Sequence, residues 1–484
     1  MMNPTRLLTY VCVCFLVCLP QIVWAQAATV HADSINAIIL WSTLLLFFGV
    51  VGRYLAKYFD QPGVLGELLM GVVVGNICYG CDMQLMVILR DSATVLAVIQ
   101  KMLQGISLTD AVHACIPNMA YAQKMISVMS YPDGEQWITT TIVLDAFSRY
   151  GVIFLLFMVG LESSLHDLKK TGRESAQVAV IGVVAPILLG LLVMTFLLPN
   201  ASFSTALFVA ATLSATSVGI TARVLQDMKK LNTREAKTIL GAAMIDDVLG
   251  LIILAVVSAM VMGGTFNLWM VSRISFMAII FFPFSLWFGP IILRRIVAWA
   301  AVFDPSEAKL LVSFVFVMGF SWLATLVHMA AIIGAFVAGL ILHEGFFESH
   351  EKVLKNPQSI KNLLSPFEAI FAPLFFMLIG IQVKLEYFLD MHVIFCAIGL
   401  VVAAVVGKLL SGLGGNRQDD RVLIGIGMVP RGEVGLVFAA VGKGLGVMPD
   451  ALFSAIILMV AVTTFMTPVW MKFQYARRNN RMTT

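Results

Sequence analysis

Two adjacent aspartates sit inside an otherwise apolar stretch, Gly241-Ala-Ala-Met-Ile-Asp246-Asp247-Val-Leu-Gly250, and two further charges, Lys408 and Arg431, sit inside two others. Each such charge costs roughly 2.5–3.5 kcal/mol to place at the centre of a bilayer span, which makes it a functional candidate by default. A carboxylate there is a hard oxygen ligand for a small cation, and a proton competes with the cation for the same oxygens. These residues share a depth. Asp246 and Asp247 lie eight and nine residues in from Thr238, and Lys408 lies eight from Asn416. Pro430 to Glu433 lie nine to twelve from Arg421, and Ser217 is about as far from the exit of its own segment. At about 1.5 Å per residue, all fall in one layer, roughly 12–18 Å from the same side.

Neighbouring helix residues point about 100° apart, so only one of Asp246 and Asp247 can pair with Lys408 while the other faces a water-filled cavity. The hydroxyls of Thr216 and Ser217, waters and freed backbone carbonyls would complete a cation site there. Competition between cation and proton for one carboxylate suffices for exchange. If Lys408 also yields its proton when Asp246 ionises, unequal charges move and the membrane voltage can drive transport. Arg431 with Glu433 or with Glu162 reads as a supporting ion pair, and Glu67 as an interfacial residue. Two other readings compete. A sodium-coupled solute symporter or a channel on a related scaffold has no evident use for the buried base Lys408. An intramembrane aspartyl protease needs aspartates facing each other from different helices, which adjacent residues on one helix cannot supply, so the sequence does not read as an enzyme.

The elements that position these residues are membrane helices. The 484 residues are 60% hydrophobic and 12% charged, far more apolar than a soluble domain. Thirteen segments are long enough to span, approximately 36–56, 63–80, 141–163, 174–198, 203–225, 238–262, 271–299, 308–327, 329–345, 364–383, 390–412, 421–444 and 450–472. The expected fold is therefore an all-α polytopic membrane protein. Residues 1–25 have the order of a secretory signal: Arg6, a short apolar run, then Val23-Trp24-Ala25. With the mature start outside, twenty-two of the thirty-two basic residues fall on the cytoplasmic side, as the positive-inside rule requires. The expected layout is first spans at 36–80, a periplasmic insert at 81–140, the remaining spans at 141–472 and a basic cytoplasmic tail at 473–484. The net charge of +4 does not suggest a nucleic-acid partner, and the scattered histidines suggest no cofactor. Cys78, Cys81 and Cys115 lie in or beside the insert, where a disulfide is open to them.

Segments seven apart resemble each other. Phe157-Met158-Val159-Gly160-Leu161 matches Phe376-Met377-Leu378-Ile379-Gly380-Ile381, and Ser217-Val218-Gly219-Ile220 matches Glu433-Val434-Gly435-Leu436. The glycine runs Gly71 to Gly75 and Gly334 to Gly339 add a third match. An odd offset makes the repeat inverted, a hallmark of secondary transporters, whose sites lie on helices broken near mid-membrane. Pro430, Gly432 and Gly435 weaken one such helix, and Ser214, Thr216, Ser217 and Gly219 cluster on its counterpart.

Taken together, Gly-Glu-Leu-Leu (66–69), Leu-Phe-Met-Val-Gly-Leu-Glu (156–162), Ser-Ala-Thr-Ser-Val-Gly-Ile-Thr (214–221), Met-Ile-Asp-Asp-Val-Leu-Gly (244–250) and Pro-Arg-Gly-Glu-Val-Gly-Leu (430–436) resemble the monovalent cation/proton antiporters of the sodium/hydrogen exchanger superfamily. The double aspartate with a following lysine is similar to the electrogenic, NapA-like branch. The resemblance implies that Asp247 carries cation and proton, that Asp246 is ion-paired to Lys408, and that the fifth and twelfth segments are crossed, unwound helices. It implies Na⁺, K⁺ or Li⁺ and protons as substrates, sodium before potassium, and a homodimer in the lipid of a bacterial inner membrane, with one domain moving against another like an elevator. Related glutathione-gated potassium efflux proteins carry a cytoplasmic nucleotide-binding domain. The short basic tail makes that gating unexpected here, and the 81–140 insert departs from the pattern.

Overall fold

The computed structural model describes residues 34–59, 61–116, 119–162, 172–230, 233–262, 268–300, 302, 304–327, 329–347 and 358–483. The expected signal segment at 1–25 lies outside them. Among the described residues every regular element is helical. Ten helices among the described residues are long and apolar enough to cross a membrane. The remaining expected spans are one short helix, Ala331–Ile341, and two helices that are each interrupted in the middle.

In chain order the helices are α1 (Ser34–Tyr58), α2 (Gly63–Gly80), α3 (Gln84–Leu89), α4 (Ser92–Leu103), α5 (Leu108–Cys115), α6 (Met119–Met129), α7 (Gly134–Glu162), α8 (Arg173–Leu197), α9 (Phe203–Thr212), α10 (Val218–Asp227), α11 (Arg234–Met262), α12 (Leu268–Ala300), α13 (Pro305–Leu326), α14 (Ala331–Ile341), α15 (Ile360–Ile381), α16 (Met391–Ser411), α17 (Arg421–Met428), α18 (Glu433–Gly444) and α19 (Asp450–Thr483). Helix α19 runs through the residues expected to form a separate tail. Several starts are fixed by side-chain caps that satisfy the first free N–H groups. Ser202 accepts from Thr205 N at α9, Asp390 from His392 N at α16, and Asp420 from Leu423 N at α17.

The chain divides into two compact units. One holds the described residues of 34–149 and 373–384. Within it α3 to α6, the insert, form a small bundle on their own apolar core of Val87, Ile88, Val95, Val98, Val112 and Met125, among others. Cys78, Cys81 and Cys115 are free thiols. Glu67, in the first turns of α2, is fully buried and paired with Arg53 at 2.5 Å. The other unit holds the described residues of 150–372 and 385–484, with both interrupted helices and the aspartate pair.

The internal repeat is visible in backbone contacts. In the first unit, a Cβ on Gly71 would lie 2.4 Å from Met377 O, and one on Gly380 2.2 Å from Leu68 O. In the second, a Cβ on Gly339 would lie 2.2 Å from Phe157 O, and one on Gly160 2.2 Å from Phe336 O. In both crossings each glycine sits on the carbonyl three residues before its partner glycine, and only the missing side chain permits that approach. The second segment with the tenth, and the ninth with the third, are the same contact under the seven-segment repeat.

Candidate ion-binding site

The site is assembled from two helix interruptions and two continuous helices. Helix α9 ends at Thr212 and α10 begins at Val218; α17 ends at Met428 and α18 begins at Glu433. At the second break Pro430 has no N–H to give and Gly432 is a weak helix former. The two breaks meet. Ser217 N donates to Pro430 O at 2.8 Å, and a Cβ on Gly432 would lie 2.5 Å from Ser217 Oγ. Only glycine leaves that space.

A helix end leaves carbonyls without partners, and here each broken helix satisfies those of the other. Thr221 Oγ1 donates to Gly427 O at 2.7 Å and Thr216 Oγ1 to Met428 O at 3.3 Å. In return Arg431 Nη1 donates to Ala215 O at 2.5 Å and Ser214 O at 3.2 Å, while Nη2 reaches Ala404 O on α16 at 3.3 Å. The Arg431 guanidinium is fully buried. Its positive charge thus lies against the negative end of α9, where a cation is favoured.

Asp246 and Asp247 occupy the middle of α11, a 29-residue helix, and are 0% and 4% exposed. Lys408, in the last turn of α16, is 0% exposed and donates to Asp246 Oδ1 at 2.9 Å. Snorkelling to water is therefore not its role. The second oxygen of Asp246, Oδ2, accepts no hydrogen bond among the described residues. The charges of both aspartates act on Lys408, and that of Asp246 acts on Arg431 as well. Two carboxylates, one ammonium and one guanidinium share the layer, so their formal charges sum to zero when all are ionised.

Of the residues singled out from sequence, Asp246, Lys408, Thr216, Ser217, Pro430, Arg431 and Gly432 are joined by these contacts, with Asp247 beside Asp246 on α11. Two expectations are corrected. Glu162 does not pair with Arg431: it takes Lys361 Nζ at 2.5 Å, in a pair with both side chains more than half exposed, because Arg431 is turned inward onto carbonyls. Gly219 is not unwound, since the break closes at Ser217 and Gly219 lies in the first turn of α10. The Glu433 side chain lies outside the described residues. Thr221 and Thr464 were not singled out as site residues. Thr221 lies in the stretch 214–221 that carries the family resemblance, four residues beyond Ser217.

The same layout of helices occurs in the sodium proton antiporter MjNhaP1 from Methanocaldococcus jannaschii, with a TM-score of 0.56 at 14% identity over 92% of this chain and 98% of that one. Fold and composition together define an all-helical, multi-pass membrane protein. The profile of transmembrane sodium/hydrogen exchangers matches residues 42–473. The chain is 33% identical to the high-affinity Na⁺/H⁺ antiporter NhaS3 of Synechocystis, over 92% of each protein. It is 32% identical to the Na⁺/H⁺-K⁺ antiporter GerN of Bacillus cereus, over 74% of this chain and 90% of that one. The chain belongs to the sodium/hydrogen exchanger family and is a monovalent cation/proton antiporter.

Proposed function

We propose that the transported cation is sodium in preference to potassium, and that it is exchanged for protons at Asp247, across the plasma membrane. The observation that carries this reading is the unequal treatment of two adjacent carboxylates. Asp246 is held by Lys408, and Asp247, one residue on, points about 100° away from that pair while staying 4% exposed. An ionised carboxylate held out of water is costly unless its charge is compensated, and in this reading a cation and a proton supply that compensation at Asp247 in turn, which is the exchange. Thr216 and Ser217 lie at the facing break, and their oxygens suit a small hard cation. The names of NhaS3 and GerN, one a sodium/proton antiporter and the other acting on sodium and potassium, support this order of preference.

The Asp246–Lys408 pair makes exchange electrogenic if Lys408 gives up its proton when the bound cation takes over the charge of Asp246, since the 2.9 Å ion pair holds that proton until then. In our reading the protein is a homodimer with its mature start outside and its C-terminus in the cytoplasm, as the distribution of basic residues supports. The test is proton movement in proteoliposomes holding an imposed pH gradient, on adding Na⁺, Li⁺ or K⁺ in turn. Sodium should collapse the gradient at the lowest concentration, and Asp247→Asn should abolish the response to every cation. Full activity in Asp247→Asn would remove Asp247 from the site.

A further inference from the structure

Four carbonyls at the second break are taken by donors from outside it, three of them from the first break and its helix. Gly427 O and Met428 O are taken by Thr221 and Thr216, and Pro430 O by Ser217 N. The carbonyl of Arg431 itself is taken by the hydroxyl of Thr464, on α19. Thr464 is 2% exposed and lies 33 residues along the chain from Arg431. It departs from its neighbours on the same helix. Thr463 and Thr467 donate back within α19, to Met459 O at 2.8 Å and Thr463 O at 2.7 Å, the usual course for a threonine in an apolar helix. Thr464 reaches across to another element.

The turn that carries Thr464 is also altered by the sequence. Pro468, inside α19, is four residues further on. It has no N–H for the Thr464 carbonyl, and its ring crowds that carbonyl. The helix is thus loosened at the residue that ties it to the break. Four residues earlier, a Cβ on Gly435 of α18 would make an ordinary 3.9 Å contact with Val460, so α18 and α19 lie side by side there. Arg431 is consequently fixed at both ends: its carbonyl to α19, and its guanidinium to Ser214 O, Ala215 O and Ala404 O.

We propose that Thr464 is a positioning residue for cation exchange: its hydroxyl fixes the Arg431 backbone, so that the guanidinium reaches the carbonyl end of α9 and sets the break at Thr216 and Ser217 against the aspartates. The inference rests on the reading that the Asp246–Asp247 layer is the transport site. Thr464 acts through Arg431, so its loss changes how well the cation is held more than how fast a loaded site turns over.

The test is the cation dependence of exchange by the full chain in proteoliposomes. Thr464→Val should raise the apparent KM for Na⁺ about three- to tenfold, the size of one buried hydrogen bond, with the maximal rate within about twofold. Thr464→Ser should restore the original KM, and Thr464→Cys, a weaker donor of similar size, should fall between. Thr463→Val removes a buried hydroxyl from the same helix and should leave KM unchanged. Equal KM values for Thr464→Val and Thr463→Val, or failure of Thr464→Ser to restore binding, would overturn the proposal. If Thr464→Val does not assemble, the order of Cys and Ser decides alone, with equal KM values counting against it. Asp247→Asn separates the two claims. Full exchange in that variant refutes the site, whereas lost exchange with an ordinary KM in Thr464→Val refutes only the role of Thr464.

Discussion

Lys408–Asp246 and Lys384–Asp91 are buried ion pairs of nearly equal length, 2.9 and 2.8 Å, with side chains at most 6% exposed. Their surroundings differ. Asp91 receives Lys384 and lies within hydrogen-bonding reach of Tyr121. The Tyr121 hydroxyl also lies 3.1 Å from Val87 O, and its ring sits under Lys384 at 4.4 Å. Beside them Arg90 donates to Asn76 Oδ1 at 2.9 Å and stacks over Tyr79 at 4.1 Å. Burial, and then the charge and hydrogen bond of Asp91, push the Tyr121 phenol above its ordinary value, so this group stays neutral. Asp246 instead keeps one oxygen with no hydrogen bond among the described residues and has a second carboxylate as its chain neighbour. A buried pair with many donors around it fastens the insert to α2 and to the end of α15. A pair of the same length with one carboxylate oxygen left without a hydrogen bond among the described residues, beside a second acid, is the less fully satisfied of the two.

The largest effect that tests this contrast is on activity. Asp247→Asn should reduce exchange by at least about a hundredfold, since each 1.4 kcal/mol is tenfold and a lost charge ligand costs several. Asp91→Asn should retain the same cation dependence as the unchanged chain. The measurement is gradient collapse in proteoliposomes for both variants. Loss of cation affinity in Asp91→Asn would place the second pair in the transport path and end the contrast.

The next effect is on stability, and there the two pairs should behave alike. Removing one partner of a buried pair leaves an uncompensated charge and typically costs about 3–5 kcal/mol. Lys408→Gln and Lys384→Gln should both lower the melting temperature in detergent, and adding Asp246→Asn or Asp91→Asn respectively should recover most of the loss. Only the first double variant should also lose the dependence of exchange on membrane voltage. A double variant at Lys408 and Asp246 that keeps full voltage dependence would exclude the pair from charge movement.

A smaller loss is expected at the two glycine crossings. Gly160→Ala and Gly380→Ala each bring a methyl to 2.2 Å from a backbone carbonyl, and forcing extra carbons into packed interiors costs about 1–3 kcal/mol. The repeat requires similar losses for the two. A shift in melting temperature at only one position would mean that the two crossings carry unequal load.

How much of this was legible beforehand follows from chain distance. The aspartate pair, Lys408 and the two breaks could be read because charges, proline and glycine are conspicuous in apolar helices. The partner of Glu162 could not, because Arg431 has two acidic candidates nearby in the reading and three carbonyls in the fold, and carbonyls leave no mark in a sequence. The same holds for Thr464, whose acceptor is main chain. The pairing of Glu67 could not be read either, because its partner Arg53 comes from the adjacent helix. The 81–140 insert was opaque because α3 to α6 are 6 to 12 residues long and pack on one another, so none shows a spanning signal.

The smallest effect belongs to a third lysine–aspartate pair, Lys124–Asp82, at 2.7 Å and with the Asp82 side chain 84% exposed. The hydrogen bond and charge of Lys124 hold the Asp82 carboxyl below the usual carboxylate range. A carboxyl whose value is lowered in the folded chain contributes stability at pH values above its unfolded value, and that contribution fades as pH falls through the folded value. An exposed pair is screened by water and salt, so the contribution is small. Asp82 also has a φ of 57°, a left-handed backbone that asparagine adopts readily. Asp82→Asn therefore removes the charge without straining the turn. Its melting temperature at neutral pH should fall within about 1 °C of the unchanged chain, since water and salt screen an exposed pair. Any difference between the two should vanish below the folded value of Asp82 and shrink at high salt. A drop as large as that in Lys384→Gln would show that the knot around Asp91 depends on this outer pair, through Lys124, which also lies 4.3 Å over the Tyr79 ring that Arg90 covers.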